Sequence, residues 1–233
     1  MRALGILQYE AVDIDAILSQ LPKEEAARLY KKNKSYALGS AVGRLLLFFL
    51  CDRIFGATAY EKRIAYRQIP NTEKAGAPYL PSHPEIHISI SHTDGACAVF
   101  LSDEGECGVD IEAITSEKKI TETQQQKITE HFSLNDFSIE DTIVCNNLQI
   151  YIYILNEKCK ISRETRPTNS PIILKKEAEK TKNFLCLYTR MEAVGKAYGL
   201  GVSFLSERKK YIDKTQIETF TSDSFVLSIA HKK

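Results

Sequence analysis

The stretch Glu106-Cys-Gly-Val-Asp-Ile-Glu112 sets two carboxylates, Asp110 and Glu112, two residues apart in an otherwise apolar run. In an extended strand residues i and i+2 share a face. The two acids therefore point one way, while Val109 and Ile111 point the other and can enter a core. Two like charges held that close shift each other's pKa unless a cation lies between them. An all-oxygen ligand set with room left in the shell suits Mg²⁺, which keeps its waters and takes phosphates as further ligands. The plainer alternative is a sheet edge carrying two solvated acids.

A second pair stands near the end of the chain. Glu192 and Lys196 are spaced i, i+4 on one helix face. On a surface such a pair contributes only ~0.3–0.5 kcal/mol. Here it lies in a mostly apolar stretch, 184–202, where unpaired charge is costly. Glu192 could complete a three-carboxylate site with Asp110 and Glu112, leaving Lys196 to meet a phosphate.

The elements that must position these residues follow from periodicity. Residues 3–10 predict a first strand, and 22–32 a helix with Pro22 at its start. Between Lys23 and Lys34, Lys23, Arg28, Lys31, Lys32 and Lys34 face only Glu24 and Glu25. That run reads as a solvated helix face or as a seat for a phosphate monoester. Leu38, Ala41, Val42, Leu45 and Phe49 form the buried stripe of a helix over 36–55. Arg44 interrupts it, so its side chain must snorkel or meet an anion.

Residues 61–80 read as irregular. The strictly alternating Ile86-His-Ile-Ser-Ile-Ser91 predicts a strand with its isoleucines inward and His87, Ser89 and Ser91 outward. A turn at 92–95, a strand over 96–101 and a turn at 102–105 then lead back to the acid pair as a meander. Residues 117–130 favour helix, 148–155 strand, and 156–167 a charged loop. A long helix is expected over 170–198, packing through Phe184, Tyr188, Met191 and Tyr198 and ended by Gly199-Leu-Gly201. A hairpin closes the chain, with 225–230 as its last strand.

Ser40-Ala-Val-Gly-Arg44 in the first long helix is echoed by Glu192-Ala-Val-Gly-Lys196 in the last. The echo reads as a trace of duplication: two similar halves, 1–105 and 106–233, with a ligand cleft between them.

The totals narrow the classes. At 233 residues, 43% hydrophobic and 26% charged, the chain has an ordinary globular composition. A net charge of +1 gives no electrostatic case for nucleic acid or a membrane surface. The six scattered cysteines form no metal or disulfide spacing, and Cys51, Cys97, Cys107 and Cys186 read as small buried hydrophobes in a reducing cytosol. The opening MRALGIL lacks a signal-peptide pattern, and no apolar run is long enough to span a bilayer. A cytoplasmic protein is expected.

Taken in order, these motifs resemble a known family. Gly108-Val-Asp-Ile-Glu112, followed by Tyr188-Thr-Arg-Met-Glu192-Ala-Val-Gly-Lys196-Ala-Tyr-Gly199, resembles the paired signature of the Sfp-type 4′-phosphopantetheinyl transferases, G-[IV]-D-[IV]-E and W-[ST]-x-K-E-[SA]-x-x-K-x-x-G. Ile88-Ser-Ile-Ser-His92-Thr is similar to the family's N-[IL]-S-H-S, and Gly76-Ala-Pro-Tyr-Leu80 to its G-K-P-Y-L. Gly39 to Leu47, with Arg44, resembles its first long helix, and Leu227-Ser-Ile-Ala230 its closing strand.

The resemblance implies a pseudo-twofold α+β fold, each half a small, mostly antiparallel sheet packed by a long helix. It implies a monomer binding coenzyme A and Mg²⁺ between the halves and an acyl or peptidyl carrier protein as partner. Asp110, Glu112 and Glu192 would hold Mg²⁺; Glu192 would also serve as base and Lys196 would meet the leaving phosphate. Arg44, Lys74, Ser91 and His92 would contact coenzyme A, helped by the basic helix. The departures are Tyr188 for Trp, Met191 and Ala77 for two lysines, and a longer segment at about 133–183 on the carrier-protein side. Lys74 and Arg190 lie near enough in sequence to replace the lost cations. The alternatives are a relative that binds carrier protein or coenzyme A without turnover, and another metal-dependent phosphotransferase or hydrolase.

Overall fold

The computed structural model describes residues 1–9, 12–31, 34–56, 61–68, 75–114, 142–144, 150–154, 176–200, 209–222 and 224–232. The expected helix at 117–130, the loop at 156–167, the start of the last helix at 170–175, Lys74 and Gly201 lie outside them. The described elements form a mixed α+β structure with small, chiefly antiparallel sheets.

The first sheet contains β1 (Arg2–Gln8), β4 (His87–Thr93) and β5 (Ala96–Ser102), with β8 (Ile150–Ile154) added at its outer edge. Its order is β4-β5-β1-β8. The second contains β6 (Cys107–Ala113), β7 (Thr142–Val144), β9 (Thr215–Thr221) and β10 (Phe225–Lys232), in the order β6-β10-β9-β7. A two-stranded ribbon, β2 (Ala65–Gln68) and β3 (Ala75–Tyr79), occupies part of the stretch expected to be irregular. Short helices α1 (Ile14–Leu18) and α2 (Lys23–Tyr30) precede the long α3 (Lys34–Phe55). The last helix is α4 (Lys176–Ala197).

Period-2 alternation sorts the side chains into layers. On the first sheet Ala3, Cys97, Val99 and Leu101 pack under α3 with Val42, Leu46, Leu47 and Leu50. Leu4, Ile6, Ala98 and Phe100 point the other way, against Val109, Ile111, Phe220, Leu227 and Ile229 of the second sheet. α4 covers the far side of that sheet through Ala193, Val194 and Ala197 against Ala230. The sheets thus pack face to face between the two long helices. The buried thiols of Cys97 and Cys107 are pushed up to about 12 by desolvation, which leaves them inert core residues; Cys186 is only half-buried.

Three expectations need correction. The 86–112 stretch is not a meander. β5 pairs with β1 and β4, whereas β6 crosses at the Asp103–Glu106 turn into the second sheet and pairs with β10. Ser89 and Ser91 do not face solvent; both are buried, because the second face of β4 meets β6. His92 does not sit in the turn but continues β4, and the turn falls at Asp94-Gly95, where Gly95 takes a φ of 73°. The chain passes from the first sheet to the second at this crossing, and β8 from the later stretch returns to pair with β1 of the first sheet.

Helix α4 ends as expected at Gly199, in the left-handed region at φ 65°, with the Leu200 N–H donating to Gly195 O at 2.7 Å. Gly108 sets how closely α4 can approach. A Cβ there would lie 2.0 Å from Ala193 O and 2.7 Å from Ala197 N, both backbone atoms. Gly108→Ala must push the helix off the strand, at a cost of about 3 kcal/mol, near the top of the overpacking range. The expected result is a clear fall in thermal midpoint by circular dichroism; an unchanged midpoint would contradict this close crossing.

Candidate functional site

Asp110, Ser91 and Lys196 come together where β4, β6 and the end of α4 meet, whereas His92 and Arg44 lie on the α3 side of β4. Asp110 and Gly108 lie on the α4 side of β6, as alternation requires, while Val109 and Ile111 enter the core between the sheets. Because Gly108 lets α4 close, Lys196 reaches the strand. Its Nζ donates to Asp110 Oδ1 at 2.7 Å and to Val109 O at 2.9 Å. Asp110 is only 6% exposed, and Glu192, one turn earlier on α4, 8%.

β4 supplies the other half of the geometry. The edge of β6 has no backbone ladder on this side; side-chain oxygens of β4 take its place. Ser89 Oγ accepts the Val109 N–H at 2.9 Å, Ser91 Oγ the Ile111 N–H at 3.3 Å, and Thr93 Oγ1 the Ala113 N–H at 3.2 Å. Two of these hydroxyls also turn to the acids. Ser91 donates to Asp110 Oδ1 at 3.0 Å, and Thr93 to Glu112 Oε2 at 3.4 Å. Each carboxylate is thus oriented by a hydroxyl from the other sheet. Sequence reasoning missed Ser89 and Thr93 as members of this seam, although their spacing with Ser91 was visible.

Both donors to Asp110 converge on Oδ1. Oδ2 is buried without a hydrogen-bond partner. A buried carboxylate oxygen of this kind is costly without a donor or a cation beside it. Among the described residues, however, no three His, Cys, Asp or Glu side chains are gathered closely enough to hold a metal ion. The ammonium of Lys196 is the cation beside Asp110 in this structure.

His92 points from the opposite face of β4 toward α3. Its Nε2 lies 3.4 Å from Ser40 Oγ, and Tyr36 meets its ring edge-on with centroids 5.4 Å apart. Gly39 makes room for that ring, since a Cβ there would come within 2.5 Å of Nδ1. Burial lowers the His92 pKa, and the positive charges of Lys196 and Arg44 lower it further, against a smaller opposing pull from Asp94. His92 therefore lies within the field of both cations.

The anion that Arg44 meets is internal. Its Nε donates to Glu25 Oε2 at 2.9 Å, Nη1 to Ser40 O at 3.0 Å and Nη2 to Tyr66 Oη at 2.8 Å. Glu25 is 1% exposed and also accepts from Arg28 and from the Ile64 N–H. The charge-rich helix is thus not uniformly solvated, because one of its acids turns inward. Arg190 is likewise directed inward, with Nε 2.7 Å from Thr219 Oγ1 beneath α4. It does not stand in for a lost surface lysine. Both basic residues that close the internal echo, Arg44 and Lys196, pair with a buried carboxylate.

No protein-family model matches the chain, and no curated protein matches it. No helix among the described residues is long and apolar enough to cross a membrane.

Two measurements check this geometry. Ser91→Ala leaves the buried Ile111 N–H without its acceptor and should cost about 1–3 kcal/mol in denaturant unfolding; a loss within error of zero would contradict the seam. His92 should titrate below 6.5 when its ring protons are followed by NMR. With the folded pKa depressed, the unfolded chain binds more protons, so this stabilisation is complete above about pH 6.5 and lost as pH falls through the folded value. A midpoint at or above 6.5 would contradict the lowering by burial and the two cations.

Proposed function

We propose that this chain is a cytosolic, Mg²⁺-dependent transferase that moves 4′-phosphopantetheine from coenzyme A to a serine hydroxyl of an acyl or peptidyl carrier protein, releasing 3′,5′-ADP. The observation that carries the reading is the contact between Asp110 and Lys196. They belong to separate sequence signatures 86 positions apart and meet at 2.7 Å. The repeated connection order supports it too: β1-α3-β4-β5 and β6-α4-β9-β10 each place the first strand beside the second strand of the hairpin. Two halves related by a pseudo-twofold axis, as the resemblance implies, would have such an order.

Phosphoryl transfer depends mainly on positioning and on neutralising charge. A divalent cation held by Asp110, Glu112 and Glu192 would supply that neutralisation at the coenzyme A pyrophosphate. The protein's own groups do the rest. Ser91 and Thr93 fix the directions of Asp110 and Glu112 before any ligand arrives, which removes reorganisation from the reaction. Glu192 accepts the proton of the carrier serine as its oxygen forms the new bond to the pantetheine phosphorus. The bond from that phosphorus to the bridging oxygen breaks at the same centre, and Lys196 stabilises or protonates the departing phosphate. His92 offers its ring to the 3′-phosphate, and protonation on binding matches the charge of that group. Arg44, held by Glu25, fixes the α2–α3 wall behind His92, while Lys74 is assigned to the phosphates by its place in the sequence alone.

One observation favours binding without turnover. Met191 is 1% exposed and packs into the core, so a lysine that the signature places beside Glu192 has become a buried apolar group.

Incubation with coenzyme A, Mg²⁺ and an apo carrier protein separates the readings, since turnover adds a pantetheine arm visible by intact mass. No mass gain across several carriers, with binding retained, would establish the non-catalytic reading. Release of inorganic phosphate from nucleotides without carrier modification would establish a different phosphotransferase or hydrolase. Glu192→Gln should lower the transfer rate by roughly 10²–10⁴ while the far-ultraviolet spectrum is unchanged. Transfer at the parent rate would remove Glu192 from the mechanism.

A further inference from the structure

We propose that a buried chain of hydroxyls beneath α4, formed by Thr189, Ser228 and Thr219 and closed by Arg190, sets the rotation of that helix and so positions Glu192 and Lys196. The catalytic part of the proposal rests on the reading above, in which those two side chains act at the transferred phosphate.

The chain lies on the α4 face of the second sheet, beside Asp110. Ser228 is the in-register neighbour of Asp110 on β10, and Thr219 is the neighbour of Ser228 on β9. All four side chains are withdrawn from water: Thr189 and Ser228 are 0% exposed, Thr219 1% and Arg190 5%. Arg190 Nε donates to Thr219 Oγ1 at 2.7 Å, Thr219 and Ser228 meet at 3.0 Å, and Ser228 and Thr189 at 2.8 Å. Thr189 Oγ1 donates on to Cys186 O at 3.4 Å. A hydroxyl has a single proton to give. Each member therefore accepts from one neighbour and donates to the next, in one direction from the guanidinium to a carbonyl of α4 itself. The charge on Arg190 strengthens the first of these bonds.

The apolar part of the same contact fixes the distance of the helix more than its rotation. Ala193, Val194 and Ala197 meet Ala230, and Gly108 presents no side chain at the crossing. Small side chains bring backbones close but interdigitate little. Hydrogen bonds, by contrast, are directional, and buried ones are costly to leave unmade. Thr189, Glu192 and Lys196 are spaced i, i+3 and i+7, so they share one stripe of α4. Turning the helix by about 20° moves a side chain at its surface by roughly 2 Å. That is enough to break the contact of Lys196 Nζ with Asp110 Oδ1 at 2.7 Å. Thr189, anchored on the sheet about two turns earlier, opposes that movement. Arg190 and the three hydroxyls are thus positioning residues: they touch neither Glu192 nor Lys196 in this chain of bonds, and act through the helix that carries both.

The test uses the full chain, at a temperature where circular dichroism shows every variant folded. Acylation of lysines by an N-hydroxysuccinimide ester is followed peptide by peptide by mass spectrometry. Lys62, held on Asp52 at 2.7 Å in the first half of the chain, is the control for general loosening. Thr189→Val and Ser228→Ala each remove a hydroxyl with little change in volume. Both should speed acylation of Lys196 about tenfold while Lys62 keeps its rate. Thr189→Ser keeps the hydroxyl and should leave Lys196 at the parent rate. In the carrier-transfer assay Thr189→Val and Ser228→Ala should lower kcat about tenfold with KM for coenzyme A unchanged, and Thr189→Ser should retain the parent kcat. If either variant does not fold, Thr219→Val is measured and judged by the same outcomes. Unchanged acylation of Lys196, or a rise shared with Lys62, overturns the proposal. Faster acylation of Lys196 with an unaltered kcat overturns its catalytic part. A parent without transfer activity removes the reading above, and the acylation result then decides by itself whether the chain positions α4.

Discussion

The outer edge of β6 is buried against β4, and among the described residues no ladder satisfies its backbone N–H groups on that side. Ser89, Ser91 and Thr93 of β4 do it with side-chain oxygens. Buried donors left unmet are costly, so this seam fixes how the two sheets sit against each other. Much of the remaining geometry follows from it. It sets Ser91 on Asp110 and Thr93 on Glu112, and it forces His92, one residue between them, onto the opposite face under α3. Acids and histidine belong to different sheets, yet one strand with period-2 alternation governs both.

The second constraint is how closely the long helices cross their strands. Gly108 under α4, and Gly39 and Gly43 facing His92 and Ile90 from α3, leave no room for a side chain at the crossings. A lysine near the end of α4 can reach a strand carboxylate only because the backbones approach so nearly. Each helix delivers a basic residue to a buried acid, Arg44 to Glu25 and Lys196 to Asp110. The two pairs differ in consequence. Arg44 has a hydrogen bond at every nitrogen and serves the wall of the site, whereas Lys196 holds only one oxygen of a carboxylate whose other oxygen has no partner.

Much of this was readable in the sequence where the signal is local. Alternation put Val109 and Ile111 opposite Asp110, helical spacing found Ala41 and Val42 of the α3 stripe although Phe49, expected in it, is 40% exposed, and Gly199 marked the end of α4. The misreadings share one cause, which is that periodicity tells which residues share a face but not what the face meets. Ser89 and Ser91 were polar and alternating, so solvent was the natural partner; a second sheet was there instead. The partner of β6 is β10, more than a hundred positions later, and no local pattern encodes a pairing at that range. The Glu25–Arg44 pair was hidden for the same reason, since neither residue's own neighbours announce the other. The candidate site was legible as a set of residue types; which of them touch was set by tertiary structure.

The central proposal, drawn from the family resemblance, is that Asp110, Glu112 and Glu192 share one divalent cation beside the pantetheine donor. Crystals grown with Mn²⁺ and coenzyme A, measured for anomalous scattering at the manganese edge, test it most directly. The account predicts one manganese peak whose shell contains oxygens from all three acids and from the pyrophosphate. Ordered coenzyme A with no manganese at Asp110, and Lys196 still bound to its carboxylate, would contradict it.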